Sequence, residues 1–406
     1  MDKKIRVGVF GAFRGMTMIE VMAKHPDAEL VAICDRYEPA LEKCREVQRQ
    51  TGSSITYYTD FEDFFKHDMD AVVLANYATE HAPYAIRLLK SGRHVTSEVL
   101  PVQTPAEAVA LCEAVEESGR VYTYSENYCY FHGTAEIRRL YREGVLGELL
   151  HAEGEYVHDM EGIWPDKTYG DKDHWRNRMF STFYCTHALG PILHITGLRP
   201  VKVVGFETPN VERYAKLGFK GGSSSLIILQ MENGATVKVL DGKLLREPYP
   251  VWYSLYGQKG SVETDRFDNS VNKLYLYEPE SNETKCSRMY QPRPVIDSAL
   301  SKSTKGHGGS DFYTMHYFLE KILGRCGGDE CIDVYEALDM ALPGILAYRS
   351  ILAGNIPLEV PNFRDPAARE RYREDNACTD PAVAGDSLLP QCSHGSPEIE
   401  DEVYRG

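Results

Sequence analysis

Three things are scarce in this chain, and each scarcity excludes something. No apolar run approaches the roughly 18 residues that a membrane-spanning helix needs. Positive charge is short, with 45 Lys and Arg against 60 Asp and Glu, for a net charge of −15. Nucleic acid and anionic membrane surfaces both need basic patches, so neither is expected as a partner. There is no C-x-x-C pair among the ten scattered cysteines. Cys34, Cys112, Cys129 and Cys185 sit in apolar or aromatic segments, as reduced thiols of a cytoplasmic protein do, rather than in a disulfide framework or zinc site. His158-Asp159, His187 and His307 do not have the spacing of a recognised metal centre, so no metal is expected. The opening MDKKIRVGVF runs straight into a strand without the apolar stretch of a signal segment, which also fits a cytoplasmic location.

What is present suggests two or three domains, at roughly 100–200 residues each. The first part alternates strand and helix. Strands are expected at Ile5–Phe10, Glu29–Cys34, Ala71–Ala75, His94–Ser97 and Val121–Ser125, with helices at Met16–Lys24, Pro39–Thr51, His81–Ser91 and Pro105–Ser118. Such alternation implies a parallel sheet covered by helices on both faces. The pattern then changes to consecutive strands: Glu148–Val157, Val201–Glu207, Ser223–Glu232, Thr236–Leu240, Val251–Tyr256, Ser261–Thr264 and Lys273–Tyr277. Asn233-Gly234 is a hairpin signal, so this sheet is expected to be large, open and mostly antiparallel. Late helices are expected at Asp311–Leu323 and Asp333–Ala353. The expected fold class is α/β, with a Rossmann domain over residues 1–125 and an α/β substrate-binding domain over residues 126–378. Residues 379–406, rich in Pro, Ser, Gly and acid, read as a flexible or partner-contacting tail.

Gly8-Val-Phe-Gly11-Ala-Phe-Arg-Gly15 follows the first strand and opens a helix. A glycine-rich turn there lets backbone N–H groups approach a pyrophosphate at the positive end of the helix. Gly11, Ala12, Phe13, Arg14, Gly15 and Met16 are therefore expected around a dinucleotide, with Phe13 and Met16 where G-x-G-x-x-G has its second and third glycines. A plain tight turn is the other reading. Asp35, ending the second strand about 20 residues on, suits a ribose 2′-hydroxyl and would repel a 2′-phosphate, so NAD is expected rather than NADP. Arg36 stands beside it; a surface acid capping a helix is the alternative for Asp35.

Later segments resemble the Gfo/Idh/MocA family of sugar-modifying oxidoreductases: Asn76-Tyr-Ala-Thr-Glu-His81 before a helix, then Gly92-Arg-His-Val-Thr-Ser-Glu98. Ordinary dehydrogenases of that family carry Glu-Lys-Pro at the fourth strand end, and the lysine serves a sugar hydroxyl. This chain has Glu98-Val99-Leu100-Pro101, and valine moves no proton. Valine there resembles the NAD-dependent glycosidases of glycoside hydrolase family 109. So do Ser125-Glu-Asn127-Tyr-Cys-Tyr130, the stretch from Gly147 through Tyr156-Val-His158-Asp159, the pair Trp175-Arg176, and Tyr184-Cys-Thr186-His187-Ala-Leu-Gly-Pro.

The resemblance implies hydrolysis of a glycoside by transient oxidation at C3, removal of the C2 proton, elimination at C1, addition of water and reduction, with NAD recycled. It implies His187 as base at the C3 hydroxyl and Tyr130 as base at C2. Tyr156, His158, Arg176, Tyr184, Thr186, Tyr249 and His307 are implied sugar contacts; Asn76, His81, Glu98, Val99 and Asn127 are implied cofactor neighbours. The partner is then a small carbohydrate or glycoside, and the chain is expected to form a homo-oligomer by analogy. Two other functions stay open: an NAD-dependent sugar dehydrogenase in which His187 replaces the lost lysine, and a non-catalytic NAD and sugar sensor. At residue level, Tyr130 and Tyr184 also read as core aromatics, His187 as a helix N-terminal histidine and His307 as part of a hinge, with Ser310 or Asp311 as an N-cap.

Overall fold

The computed structural model describes residues 4–246, 251–267, 273–279 and 288–404. The chain forms two compact units, Met1–Phe131 with Pro294–Leu338 and His132–Arg293 with Asp339–Gly406.

Unit 1 is built on six strands: β1 Ile5–Phe10, β2 Ala28–Cys34, β3 Thr56–Tyr58, β4 Ala71–Leu74, β5 His94–Ser97 and β6 Tyr122–Tyr124. They lie in the order β3-β2-β1-β4-β5-β6, and every pair is parallel. Ala71-Val-Val-Leu of β4 is buried on both faces, which is why it reads as a continuous apolar run. The helices between strands start and stop on local chemistry. The helix Pro105–Ser118 begins where the Thr104 side chain accepts from Glu107 N–H, with Pro105 in the first turn, and ends at Gly119 with φ 60°. The strand order reverses between β1 and β4, and such a switch point leaves a crevice at the strand ends. The segment Pro294–Leu338 returns to this unit, where Tyr124 N–H bonds to Ile332 O. The parallel sheet agrees with the sequence reading, which passed over β3. That strand is three residues long and half-exposed, so it carries no buried run to read.

Unit 2 holds nine strands: β7 Leu149–Val157, β8 Pro200–Glu207, β9 Ser224–Met231, β10 Thr236–Gly242, β11 Val251–Gly257, β12 Ser261–Thr264, β13 Leu274–Tyr277, β14 Arg288–Tyr290 and β15 Leu358–Glu359. Their order is β14-β13-β12-β11-β7-β10-β9-β8-β15. β7 and β10 run parallel and the other pairs antiparallel. The Asn233-Gly234 turn joins β9 to β10 as expected, with Gly234 at φ 89°. The helix Thr186–Thr196 lies on one face of the sheet. A Cβ on Gly154 of β7 would land on the carbonyl of Ala188, so a glycine in mid-strand lets that helix approach.

The C-terminal segment beyond Thr379 lies against unit 2. Ser393 donates from its N–H and its Oγ to Glu207 Oε2 at 2.7 and 2.6 Å, Cys392 is buried, and Tyr404 Oη donates to Gly218 O at 2.8 Å. All nine described cysteines are free thiols. Among the described residues, no helix is long and apolar enough to cross a membrane.

Candidate active site

In unit 1 the candidate residues are placed first by backbone. β1 delivers the chain to Gly11, whose φ is 99°. A Cβ there would fall on the carbonyl of Ala75 and the amide nitrogen of Asn76, so only glycine lets this turn press against the end of β4. Gly15 sits one turn on, where a Cβ would meet Val9 Cγ1 at 3.1 Å and Ala75 Cβ at 3.3 Å. Close packing of helix on strand, the task of the third fingerprint glycine, therefore falls on Gly15 and not at Met16. The helix starts at Ala12, four residues before the expected Met16. Phe13, in the second glycine's place, is 42% exposed, so its bulk meets no neighbour that would forbid it.

Asp35 does more than end β2. Its Oδ2 accepts from Ala12 N–H at 2.6 Å and Phe13 N–H at 3.4 Å, and its Oδ1 accepts from Tyr37 N–H at 2.8 Å. It thus caps the helix Ala12–Lys24 from outside, a negative charge at the positive helix end. The Arg36 guanidinium lies 4.5 Å from the centre of the Tyr77 ring. Asn76 donates to Glu80 Oε2 at 3.3 Å, while its own Oδ1 is buried with no partner among the described residues. His81 Nδ1 lies 2.8 Å from Leu100 O, and burial pushes its imidazole down to about 4, so the ring is neutral at pH 7. Val99 is buried and apolar. A glycine cradle at the switch point, a helix start beside it and an unmet buried carbonyl on Asn76 fit a dinucleotide.

Beyond the turn stands a charged cluster. Arg14 donates to Glu98 Oε1 at 2.7 Å and to Asp311 at 3.3 and 3.4 Å. Asn127 donates to Asp311 Oδ1 at 2.8 Å, and His307 Nδ1 lies 3.1 Å from Asp311 Oδ2. Asp311 is completely buried. Burial pushes its carboxyl up, but Arg14, His307 and Asn127 outweigh that and hold it well below the usual carboxylate range. The sequence reading of Asp311 as an N-cap is corrected: Gly309, at φ 94°, precedes a helix that starts at Ser310, and the Asp311 side chain turns into the cluster. His307 has a left-handed φ of 46°, inside the run Gly306-His-Gly-Gly309. This places His307, expected at the sugar, on Asp311 within unit 1. Tyr130, expected as the C2 base, also belongs to unit 1. Its hydroxyl donates to Glu330 O at 2.8 Å and its ring packs 5.6 Å from Tyr317.

In unit 2 the candidate residues form a cluster of side chains. Tyr156 near the end of β7 and His187 in the first turn of Thr186–Thr196 have ring centres 4.9 Å apart. Tyr184 lies 5.1 Å from His187 and 6.1 Å from Tyr156. Trp175 stacks on Tyr184 at 6.3 Å, and the Arg176 guanidinium lies over both rings, at 4.4 Å from Trp175 and 5.6 Å from Tyr184. His158 is 5.9 Å from Tyr156, and burial pushes its imidazole down to about 4. Thr186 is buried at the helix start. Six expected sugar-side residues, Tyr156, His158, Arg176, Tyr184, Thr186 and His187, thus gather at one end of the sheet face that carries the helix. Tyr249 lies outside the described residues.

The sequence reading missed Tyr253, fully buried on β11, whose hydroxyl donates to His187 O at 2.5 Å and anchors that helix end. It also missed Asp241 and Lys243 at the end of β10. Their signal is a switch from Val237 and Val239 to an acid and a lysine along one face of a strand. Among the described residues, no three His, Cys, Asp or Glu side chains are placed to hold a metal ion.

Comparison with known proteins places both halves. Residues 5–126 match the oxidoreductase family model with an NAD-binding Rossmann fold. Residues 134–369 match the C-terminal domain of glycosyl hydrolase 109. A glycosyl hydrolase family 109 protein of Phocaeicola vulgatus is 28% identical over 88% of this chain and 84% of its own length. One from Porphyromonas gingivalis is 26% identical over the same shares. Among solved structures, an oxidoreductase from Agrobacterium radiobacter bound to NAD+, L-tartaric acid and magnesium has TM-score 0.72 and 16% identity, covering 88% of this chain and 98% of its own. Levoglucosan dehydrogenase in complex with NADH has TM-score 0.71 and 17% identity, covering 89% of this chain and 100% of its own. At these identities the solved structures speak for the fold, while the C-terminal model spans more than half of the residues. The N-terminal part is an NAD-binding Rossmann domain, and the chain belongs to glycosyl hydrolase family 109.

Proposed function

We propose that this protein cleaves a glycosidic bond through transient oxidation of the sugar, with NAD retained as a recycled cofactor. The observation that carries this reading is the Tyr156–Tyr184–His187 cluster of unit 2; within unit 1, the chain after β5 bears buried, apolar Val99 where a lysine would serve a dehydrogenase. Proton handling on the sugar then falls to phenols and an imidazole instead of a lysine.

Gly11, Gly15, the start of the helix at Ala12, Asn76 and the Arg14–Glu98–Asn127 group would hold the cofactor. Bound NAD supplies a reversible acceptor for the hydride at C3, so net chemistry is hydrolysis. His187 takes the C3 hydroxyl proton as the ketone forms and returns it on reduction. The ketone acidifies C2–H. We assign removal of that proton to Tyr156 instead of Tyr130, because Tyr156 packs against His187 while the Tyr130 hydroxyl is bound to a backbone carbonyl. Arg176, on its aromatic bed of Trp175 and Tyr184, stabilises the negative charge that grows on the enolate oxygen. The enolate then expels the aglycone from C1, the electron pair of the C1–O bond leaving on the aglycone oxygen, which takes a proton from solvent; water adds back with its oxygen to C1 while Tyr156 returns its proton to C2. Tyr253, holding the His187 carbonyl, keeps the imidazole in position.

A cytoplasmic setting belongs to this reading, supported by the nine free described thiols. So does self-association, supported by half-exposed Phe206 and Tyr256 on the sheet face turned away from the helix; light scattering after size exclusion reads it.

The test is a panel of aryl glycosides given to purified protein with no added NAD. Release of aglycone without accumulation of NADH is the expected result. NADH formed in step with consumption of free sugar would make the protein a dehydrogenase, and NAD binding with no turnover would make it a sensor.

A further inference from the structure

The sheet face that carries Tyr156 also carries two charged side chains that the reaction above does not use. In the β7–β10 pair, Asp241 stands opposite Tyr156 and Val239 opposite Gly154. Paired positions of neighbouring strands point to the same face. Gly154 faces the helix Thr186–Thr196, so Asp241 and Tyr156 share the face on which His187 lies. Lys243 continues the alternation, since its N–H still bonds to Ser223 O across the ladder.

Both side chains are buried, at 6% exposure for Asp241 and 8% for Lys243. Asp241 Oδ2 has no hydrogen-bond partner among the described residues. The Lys243 ammonium sits 3.7 Å from the centre of the Phe219 ring and 5.5 Å from that of Trp164, and among the described residues no acceptor holds it. Burial pushes the Asp241 carboxyl up against the pull of Lys243. Burial pushes the Lys243 ammonium down against the pull of Asp241, and the charge of Arg176 adds to the fall, with distant Glu207 opposing. Each ion is therefore only partly compensated by the other. Buried ionic groups are ordinarily hydrogen-bonded to completion.

The missing partner must satisfy an acceptor and a donor at once. An anion would face Asp241 and a cation would face Lys243 and Arg176. A hydroxyl donates one hydrogen bond and accepts others, which matches both. We propose that Asp241 and Lys243 together clamp one ring hydroxyl of the sugar, Asp241 accepting its hydrogen and Lys243 donating to its oxygen, and so set which hydroxylated sugar the chain accepts. The pair reads the sugar without touching the reacting carbons. This rests on the sugar-binding reading of unit 2.

The experiment titrates NAD-loaded protein with methyl galactoside, methyl glucoside, their 2-acetamido counterparts and the monodeoxy analogues of each, following tryptophan fluorescence and heat. The wild type is expected to bind one parent sugar at least about 30-fold more tightly than one of its monodeoxy analogues, because the analogue leaves the buried pair unmet. Asp241→Asn, and the double variant Asp241→Asn with Lys243→Met that removes both charges together, are expected to bind that parent about 10-fold more weakly and to lose the discrimination. NAD affinity and thermal midpoint, measured on the same samples, report folding. Folded variants that keep the discrimination overturn the clamp and leave the glycosidase reading standing. A wild type that binds none of these sugars overturns both.

Discussion

The two units build their candidate residues from different materials. In unit 1, the NAD-binding Rossmann part, backbone comes first: Gly11 fits because no Cβ has room, Gly15 because a helix must lie close to a strand, and Asp35 serves three N–H groups. In unit 2 side chains come first: two phenols, two imidazoles and a guanidinium on aromatic rings. The difference teaches where sequence carries information. A backbone cradle tolerates any residue that stays out of the way, so Phe13 stands where a glycine is usual. A side-chain cluster tolerates no change of chemical type, so its residues read as motifs.

Four sets of variants put this contrast to the test. Tyr156→Phe should reduce turnover by about 10²–10⁴-fold, the range for removal of a general base, while Tyr130→Phe should cost less than about 10-fold. Steady-state kinetics on the pair, with NAD content measured alongside, decides the assignment; the reverse order would return the C2 base to unit 1. Gly11→Ala should reduce NAD affinity by more than about 100-fold. It adds a Cβ at a left-handed position, costing about 1–2 kcal/mol in conformation alone, and that Cβ meets backbone. Calorimetric titration with NAD reads it, and unchanged affinity would remove the cradle from the account.

Asp311→Asn should destabilise the fold by about 3 kcal/mol at neutral pH, because Arg14 and His307 lose a buried partner. The sign with pH follows from a depressed carboxyl. Its stabilisation is fully present above the unfolded value, 3.8, and fades as pH falls through the lower folded value. Denaturant melts should therefore show a wild-type advantage that is constant from pH 7 to pH 5 and shrinks in strong acid. An advantage already lost by pH 5 would contradict the depressed carboxyl. Tyr253→Phe should cost about 1 kcal/mol of stability by losing one buried hydrogen bond. It should also lower kcat more than it raises KM if the His187 carbonyl anchor matters; equal kinetics would leave it a packing residue.

Much of this was legible in the residues, and the failures have physical reasons. Alternating strand and helix up to Tyr124, and consecutive strands after it, follow from burial on two faces in one sheet and on one face in the other. The motif residues Tyr156, Arg176, Tyr184 and His187 lie in order along the chain and meet in space. The surroundings of the two phenols were not legible: the Tyr130 hydroxyl donates to the Glu330 carbonyl, and the Tyr156 ring packs beside His187. Asp311 looked like a cap because Gly-Gly-Ser-Asp opens a helix, and two of its three partners, Arg14 and Asn127, come from distant segments. Tyr253 and Asp241 needed strand register, which side-chain alternation alone does not supply.

The most direct measurement is hydrolysis of an accepted aryl glycoside in deuterated buffer with no added NAD, followed by analysis of the released sugar. Transient oxidation and C2 deprotonation predict aglycone release with deuterium at C2 and no net NADH. Release of aglycone with C2 still fully protonated would contradict the elimination route and leave an ordinary hydrolysis on a dinucleotide-binding fold.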